Sequence, residues 1–142
     1  MNPSELIDFL RRQAWAVEAS VSAAGAPQAA VIGIVVSDEL ELFFDTLADS
    51  RKCSNLRANP RAAFVIGWDD AQTVQLEGIA DEPSGAELER LKALYFARFP
   101  DGRDREATGG VAYFRVRPTW ARYSDFRGAE PRIVEVELRP RV

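Results

Sequence analysis

Histidine is absent from this sequence, and cysteine occurs only once, at Cys53. Without histidine the chain lacks the commonest metal ligand and the commonest general base of neutral pH. Catalytic groups of the Ser-His-Asp or Cys-His kind are therefore excluded, and no metal site is expected. A single cysteine cannot form a disulfide within the chain, so Cys53 is interpreted as a small packing residue. Chemistry near neutral pH is expected to come from a bound cofactor.

Long apolar runs are missing as well. None approaches the roughly 20 residues that span a bilayer, and the N-terminal stretch MNPSELIDFLRRQ lacks the pattern of a signal peptide. The sequence thus predicts a cytoplasmic protein without a membrane partner. Its 18 Lys and Arg residues are outnumbered by 22 Asp and Glu residues, which gives a net charge of −4. This balance argues against a nucleic-acid partner, since such proteins usually carry a broad basic face.

What the sequence does contain is typical of one globular domain, predicted over residues 1–142. The composition is 46% apolar and 28% charged. The long β-branched run Gln28–Val36 is expected to be a strand buried on both faces. Further strands are predicted at Trp15–Val21, Leu40–Asp45, Ala62–Trp68, Thr73–Asp81, Val111–Val116, Trp120–Tyr123 and Ile133–Leu138.

Three helices are predicted between these strands. One follows the cap Asn2-Pro3, a second runs from Asp49 or Ser50 to Arg57, and a third starts at the capping-box spacing Ser84 to Glu87 and ends at Pro100. The polar segment 101–110 is interpreted as a flexible loop. Because strands and helices do not alternate as in parallel α/β folds, the predicted fold class is mostly β, an antiparallel β-barrel with peripheral helices.

Positive charge is concentrated where a predicted strand gives way to the second helix. Ser50, Arg51 and Lys52 stand at the start of that helix, and Thr46 lies just upstream. Backbone N–H groups at a helix start favour an anion, and hydroxyl, guanidinium and ammonium groups are good donors to phosphate. The pattern predicts a phosphate site. The alternative is an ordinary solvated helix surface, which is also the expectation for Arg57 and Arg61.

Three segments carry a resemblance to a known family. They are GAPQAAVIGI at 25–34, LFFDTLADSRKCSNLRANPR at 42–61 and VQLEGIADE at 74–82, with weaker similarity in VRPTWARYSDF at 116–126. In this order and spacing they resemble the pyridoxamine 5′-phosphate oxidase-like, flavin-binding split β-barrel family, with the best match over about 6–82. The resemblance implies a split barrel that forms a homodimer, with flavin mononucleotide (FMN) at the interface.

The resemblance also implies roles for particular residues. Arg51 and Lys52 would hold the flavin phosphate, with Ser50 and Thr46 beside it. Val31 and Ile32 would line the isoalloxazine ring and offer it backbone hydrogen bonds. Thr73 and Gln75 would approach the cofactor from the partner subunit. No catalytic residue is assigned, although Asp45 and Tyr123 are conceivable acids or bases.

The sequence departs from the oxidase pattern in two places. Ala29 and Ala30 stand in the strand where the oxidase has a phosphate-facing arginine, and the C-terminal Arg-x-His signature is missing. These departures argue against pyridoxamine phosphate oxidation itself. A flavin-dependent oxidoreductase with a small-molecule substrate or electron donor is the leading hypothesis. A deazaflavin-dependent reductase, a non-catalytic protein that binds or stores a flavin or another phosphorylated ligand, and a barrel that has lost its ligand remain open.

Overall fold

The computed structural model describes residues 1–138, and within them it contains four helices and eight strands. The predicted domain also includes residues 139–142, which lie outside the described residues. The helices are α1 (Pro3–Arg11), α2 (Arg51–Ala58), α3 (Gly85–Arg98) and α4 (Gly102–Thr108). The strands are β1 (Trp15–Val21), β2 (Pro27–Gly33), β3 (Val35–Val36), β4 (Leu42–Leu47), β5 (Arg61–Ile66), β6 (Gln72–Asp81), β7 (Val111–Asp125) and β8 (Arg132–Glu135).

All eight strands belong to one antiparallel sheet, as the sequence predicts. Its order is β2-β1-β5-β6-β7-β4-β3, and β8 pairs with β7. The sheet curls into a half-barrel whose concave side is filled by aromatic and aliphatic side chains, including Phe44, Phe64 and Phe114. The first helix packs Leu6 and Leu10 against this core. No helix within residues 1–138 is long and apolar enough to cross a bilayer.

The caps of two helices follow their local sequence. Asn2 accepts a hydrogen bond from the Glu5 N–H at 2.9 Å, and Glu5 accepts one from the Asn2 N–H at 2.9 Å, so α1 begins with a complete capping box. Ser50 caps α2. The capping box predicted at Ser84 is wrong, because Ser84 precedes α3 without a side-chain hydrogen bond. Glu87 instead binds Arg115 at 2.5 Å.

The prediction for Gln28–Val36 is also wrong in part. The run forms two strands, β2 and β3, separated at Ile34, whose N–H donates to the Ala14 carbonyl at 3.2 Å. Strand β2 is not buried on both faces, since Val31 is 63% exposed. Val31 shares its sheet face with Val17 and Val65, and Val65 on the inner strand β5 is also 41% exposed, so this face lacks a covering layer within the described chain.

Two further segments differ from expectation. The predicted flexible loop at 101–110 contains helix α4, which is tied down by an ion pair of 2.5 Å between Arg105 and Asp101. The two strands predicted around Pro118 are a single strand, β7. Its register against β6 shifts between Glu77 and Gly78, and this irregularity accommodates Pro118, which has no N–H to donate.

Candidate anion site and adjoining cleft

The start of α2 brings four of the predicted site residues together. The Ser50 hydroxyl accepts the Cys53 N–H at 3.2 Å and lies 2.9 Å from the Thr46 hydroxyl. The ammonium group of Lys52 donates to the same Thr46 oxygen at 3.4 Å. Arg51 is exposed and forms no ion pair within residues 1–138. Two hydroxyls, an ammonium group and an unengaged guanidinium therefore surround the first turn of an eight-residue helix.

Val31 and Ile32 lie beside this cluster but differ in side-chain exposure and in the direction of their backbone groups. Strand alternation directs their side chains to opposite faces, so Val31 is 63% exposed while Ile32 is 7% exposed. The bonds from Ile34 N–H to Ala14 and from Ser22 N–H to Ala26 show that even-numbered positions of β2 bond to β1. The backbone of Ile32 is therefore directed to β1. The N–H and C=O of Val31 are directed to the open edge, where a ligand can reach them.

Thr73 and Gln75 lie away from this cluster within the protomer. The register aligns Val31 with Val17, Val17 with Val65, and Val65 with Gln75, so Gln75 is three strands away from Val31 on the same face. At about 4.8 Å per strand this separation is roughly 14 Å. One protomer thus assembles the α2 cluster with Val31 but does not bring Thr73 or Gln75 to it.

Two cavities meet at Lys52. A small one of about 110 Å³ lies between β1, β2 and the first turn of α2. A cleft of about 290 Å³ runs from Lys52 along the edge strand to α3 and α4. Its walls include Trp15, Val31, Thr46, Tyr95 and Phe99. A small cationic pocket that opens towards a partly aromatic cleft has the layout needed by a ligand with a charged end and a flat ring.

Sequence reasoning missed the polar residues at the bottom of the small pocket. Glu18 is 1% exposed, and its Oε1 atom has no hydrogen-bond partner among residues 1–138. Asn55 donates from Nδ2 to the Ser20 hydroxyl at 3.1 Å and to Gln28 Oε1 at 2.9 Å. The available signal was a carboxylate in the otherwise small or apolar strand Trp15–Val21. Burial raises the pKa of Glu18, and the Lys52 charge and the Ser20 hydroxyl oppose that shift without cancelling it.

A second polar group missed by sequence reasoning forms the far wall of the cleft. Tyr95 donates to Asp45 Oδ1 at 2.9 Å, and Arg105 Nε donates to Asp45 Oδ2 at 3.0 Å. Burial and the Asp45 carboxylate raise the pKa of Tyr95 above its ordinary value, so its hydroxyl stays protonated. Asp45 accepts bonds on both oxygens, which suits a group that positions Tyr95 better than a free base. Tyr123, the other conceivable acid or base, is buried and donates to Gln72 at 2.7 Å.

Cys53, Arg57 and Arg61 do not take part in the anion cluster. Cys53 is buried, and burial raises the pKa of its thiol, as expected for a packing residue. Arg57 forms a bidentate ion pair with Glu82 at 2.8 and 3.1 Å and so does not contribute to the anion cluster. Arg61 is exposed. No group of His, Cys, Asp and Glu side chains suited to a metal ion occurs within the part of the chain that the structure describes.

A larger open cleft of about 720 Å³ lies on another side of the molecule, between α1 and the turn before β4. Its cationic side chain, Arg11, is already paired with Asp38 at 2.6 Å and also donates to the Val36 carbonyl at 3.1 Å. Among the described residues that line it, that cleft therefore offers no unengaged cation to an anionic ligand, and the α2 cluster remains the better candidate.

Comparison with known proteins identifies the family of the chain. A model of the pyridoxamine 5′-phosphate oxidase family matches residues 3–125. The pyridoxine/pyridoxamine 5′-phosphate oxidase of Bordetella pertussis is 35% identical over 85 residues, which are 59% of this chain and 39% of that protein. The corresponding oxidase of Burkholderia vietnamiensis is 38% identical over 85 residues, 59% of this chain and 38% of that protein. The matched segment thus spans about two fifths of these relatives.

Solved structures share the fold at low sequence identity. A heme-binding protein from Mycobacterium smegmatis superposes with a TM-score of 0.81 at 18% identity, covering 93% of this chain and 56% of that one. A pyridoxamine 5′-phosphate oxidase-related, FMN-binding protein from Nostoc punctiforme has a TM-score of 0.70 at 12% identity, covering 97% of each chain. An F420 reductase has a TM-score of 0.59 at 22% identity, covering 80% of this chain and 93% of that one. Identities this low establish the fold alone.

Proposed function

The chain belongs to the pyridoxamine 5′-phosphate oxidase family, and on that premise we propose that it is an FMN-binding oxidoreductase. The observation that carries the proposal is the cluster at the start of α2, where Lys52 and the unengaged Arg51 line one pocket and the Ser50 and Thr46 hydroxyls lie beside Lys52. A phosphate monoester matches this donor set, because hydroxyl, ammonium and guanidinium groups all donate to its oxygens. When bound, FMN supplies the redox chemistry.

The chain's own residues bind and orient the ligand in this proposal. Ser50, Arg51 and Lys52 hold the phosphate, and Thr46 fixes the Lys52 ammonium group. The open backbone groups of Val31 meet polar atoms of the ring at the edge of β2. Tyr95, whose hydroxyl donates to Asp45 and accepts from Arg105, lines the cleft in which a substrate or electron donor would lie. We assign no catalytic acid or base.

Binding is tested by titrating the ligand-free protein with FMN and comparing the Arg51→Ala/Lys52→Ala double variant. Each charge-assisted contact contributes about 1.5–3 kcal/mol, so the double variant is expected to lose at least ~100-fold in affinity. Arg57→Ala is the matched control, because it removes a cation from the same helix that is already bound to Glu82. Equal FMN binding by parent and double variant would refute the phosphate assignment.

Turnover separates the remaining alternatives. An oxidoreductase is expected to reduce bound FMN when a reduced nicotinamide is supplied, whereas a binding or storage protein holds FMN without turnover. A protein that ignores FMN but binds a phosphorylated deazaflavin through the same cations would be a deazaflavin-dependent reductase instead. The phosphate cluster serves either ligand, so the titration is run with both.

A homodimer is part of the proposal, and an exposed apolar sheet face supports it. Trp15, Val31, Val65 and Ile79 are all exposed on the same face of strands β2, β1, β5 and β6. Apolar patches of this kind usually mark a contact surface. A second copy on this face could place its Thr73 and Gln75 near Val31, which one protomer cannot do.

Light scattering tests the dimer directly. The parent protein is expected to have the mass of two chains, and Val65→Lys, which adds a charge at the centre of the apolar face, is expected to shift the protein towards the monomer. Leu94→Lys is the control, since it places the same charge on an exposed residue of α3. A parent protein that is monomeric at high concentration would contradict this part of the proposal.

A further inference from the structure

The floor of the anion pocket contains a carboxylate that phosphate binding alone does not explain. Glu18 lies in β1 opposite Ala30 of β2 and Phe64 of β5, so its side chain shares the concave face of the sheet with theirs. It is 1% exposed and lines the same small cavity as Arg51 and Lys52. A negative group therefore faces the place where two cations and a helix start would hold an anion.

Glu18 is not satisfied by the protein. Its Oε1 atom has no hydrogen-bond partner, and Lys52 does not approach it within ion-pair distance in the described structure. The Ser20 hydroxyl, which accepts a bond from Asn55, keeps its proton for donation and serves only one side of the carboxylate. A buried acceptor without a donor is costly. Because Glu18 lines the same cavity as Arg51 and Lys52, a ligand in that cavity or a proton is the natural partner for this oxygen.

We propose that Glu18 contacts the phosphate group of the ligand and that this contact shares one proton, so that ligand binding takes up a proton from solution. The inference rests on the proposed phosphate site at the start of α2. A carboxylate and a phosphate dianion both only accept hydrogen bonds. They can approach each other closely only when one of them is protonated, because two like charges at short distance disfavour the doubly ionised state.

The charged groups around Glu18 set the direction of the effect. Helix α2 contributes Arg51 and Lys52, β1 contributes Ser20, β2 contributes Gln28 and Ala30, and β5 contributes Phe64. Lys52 favours the ionised form of Glu18, while burial opposes it, and the net result is a pKa above the ordinary value. A dianionic phosphate adds negative charge and raises that pKa further. The complex then holds more protons than its separate parts, so affinity falls as pH rises.

The test is calorimetric titration with FMN at pH 8.5 in two buffers of different ionisation enthalpy. This pH is above the second pKa of a phosphate monoester, about 6. The wild-type protein is expected to take up close to one proton per FMN, and its Kd is expected to rise about tenfold per pH unit where uptake is complete. Glu18→Gln keeps the shape but cannot ionise. It is expected to show no proton uptake and at least about tenfold tighter binding at pH 8.5.

Two further probes separate this inference from the proposed function. Riboflavin lacks the phosphate, and proton uptake on riboflavin binding would overturn the assignment of Glu18 to the phosphate. Inorganic phosphate tests the pocket without the ring. FMN binding with no proton uptake by the wild type overturns the inference and leaves the function intact. Phosphate binding with proton uptake, but no FMN binding, supports the inference and refutes the flavin proposal. If the protein binds neither FMN nor inorganic phosphate, both the inference and the proposed function are overturned. Proton uptake is measured on the wild-type protein, so this result does not depend on how the Glu18→Gln variant folds.

Discussion

Two clusters of buried charge lie in the same curled sheet, and they differ in whether the buried side chain at their centre is fully paired within the described residues. Arg115 is fully paired, although Nε of the neighbouring Arg117 lacks a partner, and Glu18 is not. In the first, Arg115 on β7 is bound by Asp81, Glu41 and Glu87 at 2.5–3.1 Å. In the second, Glu18 on β1 faces Lys52 and Arg51 across a cavity with one oxygen unpaired. The ion pairs of the Arg115 cluster connect strands and a helix and so stabilise the fold. The unpaired Glu18 carboxylate lines a cavity and can accept a hydrogen bond from a ligand or a proton there.

The Arg115 cluster joins β6, β7, α3 and the residue before β4. Its guanidinium links β7 to Asp81 at the end of β6, to Glu41 before β4, and to Glu87 on α3. Arg90 adds a second cation at 3.0 Å from Glu41. Burial raises the pKa of Asp81, but the Arg115 hydrogen bond and the Arg115 and Arg117 charges outweigh it, so the pKa lies below its ordinary value. These carboxylates are therefore ionised and paired at neutral pH.

The largest expected effect comes from breaking this complete cluster. Arg115→Ala removes the cation and leaves Glu41 buried with Arg90 alone, and losing one partner of a buried pair costs about 3–5 kcal/mol. We expect the free energy of unfolding in urea to fall by that amount, with Arg115→Lys intermediate because lysine keeps the charge but not the bidentate geometry.

Arg57 gives a matched control for Arg115. Its pair with Glu82 has the same bidentate form, but the two side chains are 50% and 42% exposed, against 6% for Arg115. Exposed pairs contribute roughly 0–1 kcal/mol, so Arg57→Ala is expected to change stability by no more than that. Similar losses in Arg57→Ala and Arg115→Ala would show that burial is not what distinguishes the two pairs.

The anion cluster was predictable because its information is local. Ser50, Arg51 and Lys52 follow one another at a helix start, and Thr46 is four residues upstream, so their proximity needs only one strand end and one helix cap. The same holds for α1, whose cap Asn2-Pro3 is readable directly. Helix periodicity and capping are properties of short segments, and these are the parts of the fold that the sequence specifies most clearly.

The parts that sequence reasoning missed depend on distant pairing. Helix α4 looked like a loop because the segment 101–110 is polar throughout, and its order comes from Arg105 binding Asp45 on β4. The exposure of β2 could not be read from its apolar run, since apolar composition does not reveal whether another layer covers a face of the sheet. Glu18 was overlooked because only the strand register places it opposite Ala30, at the floor of the pocket.

A smaller effect, opposite in sign, is expected at Glu18 in the ligand-free protein. The folded state holds Glu18 with a pKa above its ordinary 4.5, so between 4.5 and that raised value the folded state binds more protons than the unfolded state. The stability contribution of this group therefore falls as pH rises through that range. Glu18→Gln cannot ionise, which removes the penalty of a buried unpaired charge. We expect a higher Tm than wild type at pH 8, by roughly 3–5 °C for about 1 kcal/mol, and equal Tm values at pH 4.

Thermal unfolding of wild type and Glu18→Gln between pH 4 and pH 8 tests this prediction. The Arg115 cluster loses stability on acidification in both proteins alike, because its carboxylate pKa values are lowered, so it cancels in the difference between wild type and variant. A variant that is less stable than wild type at pH 8 would mean that Glu18 is effectively paired with Lys52 in solution. The Glu18 cluster would then be paired internally like the Arg115 cluster, and the contrast between the two would not hold. A difference that grows with pH shows that the ionised carboxylate of Glu18 destabilises the ligand-free protein, and this is the charge that a shared proton would remove on binding.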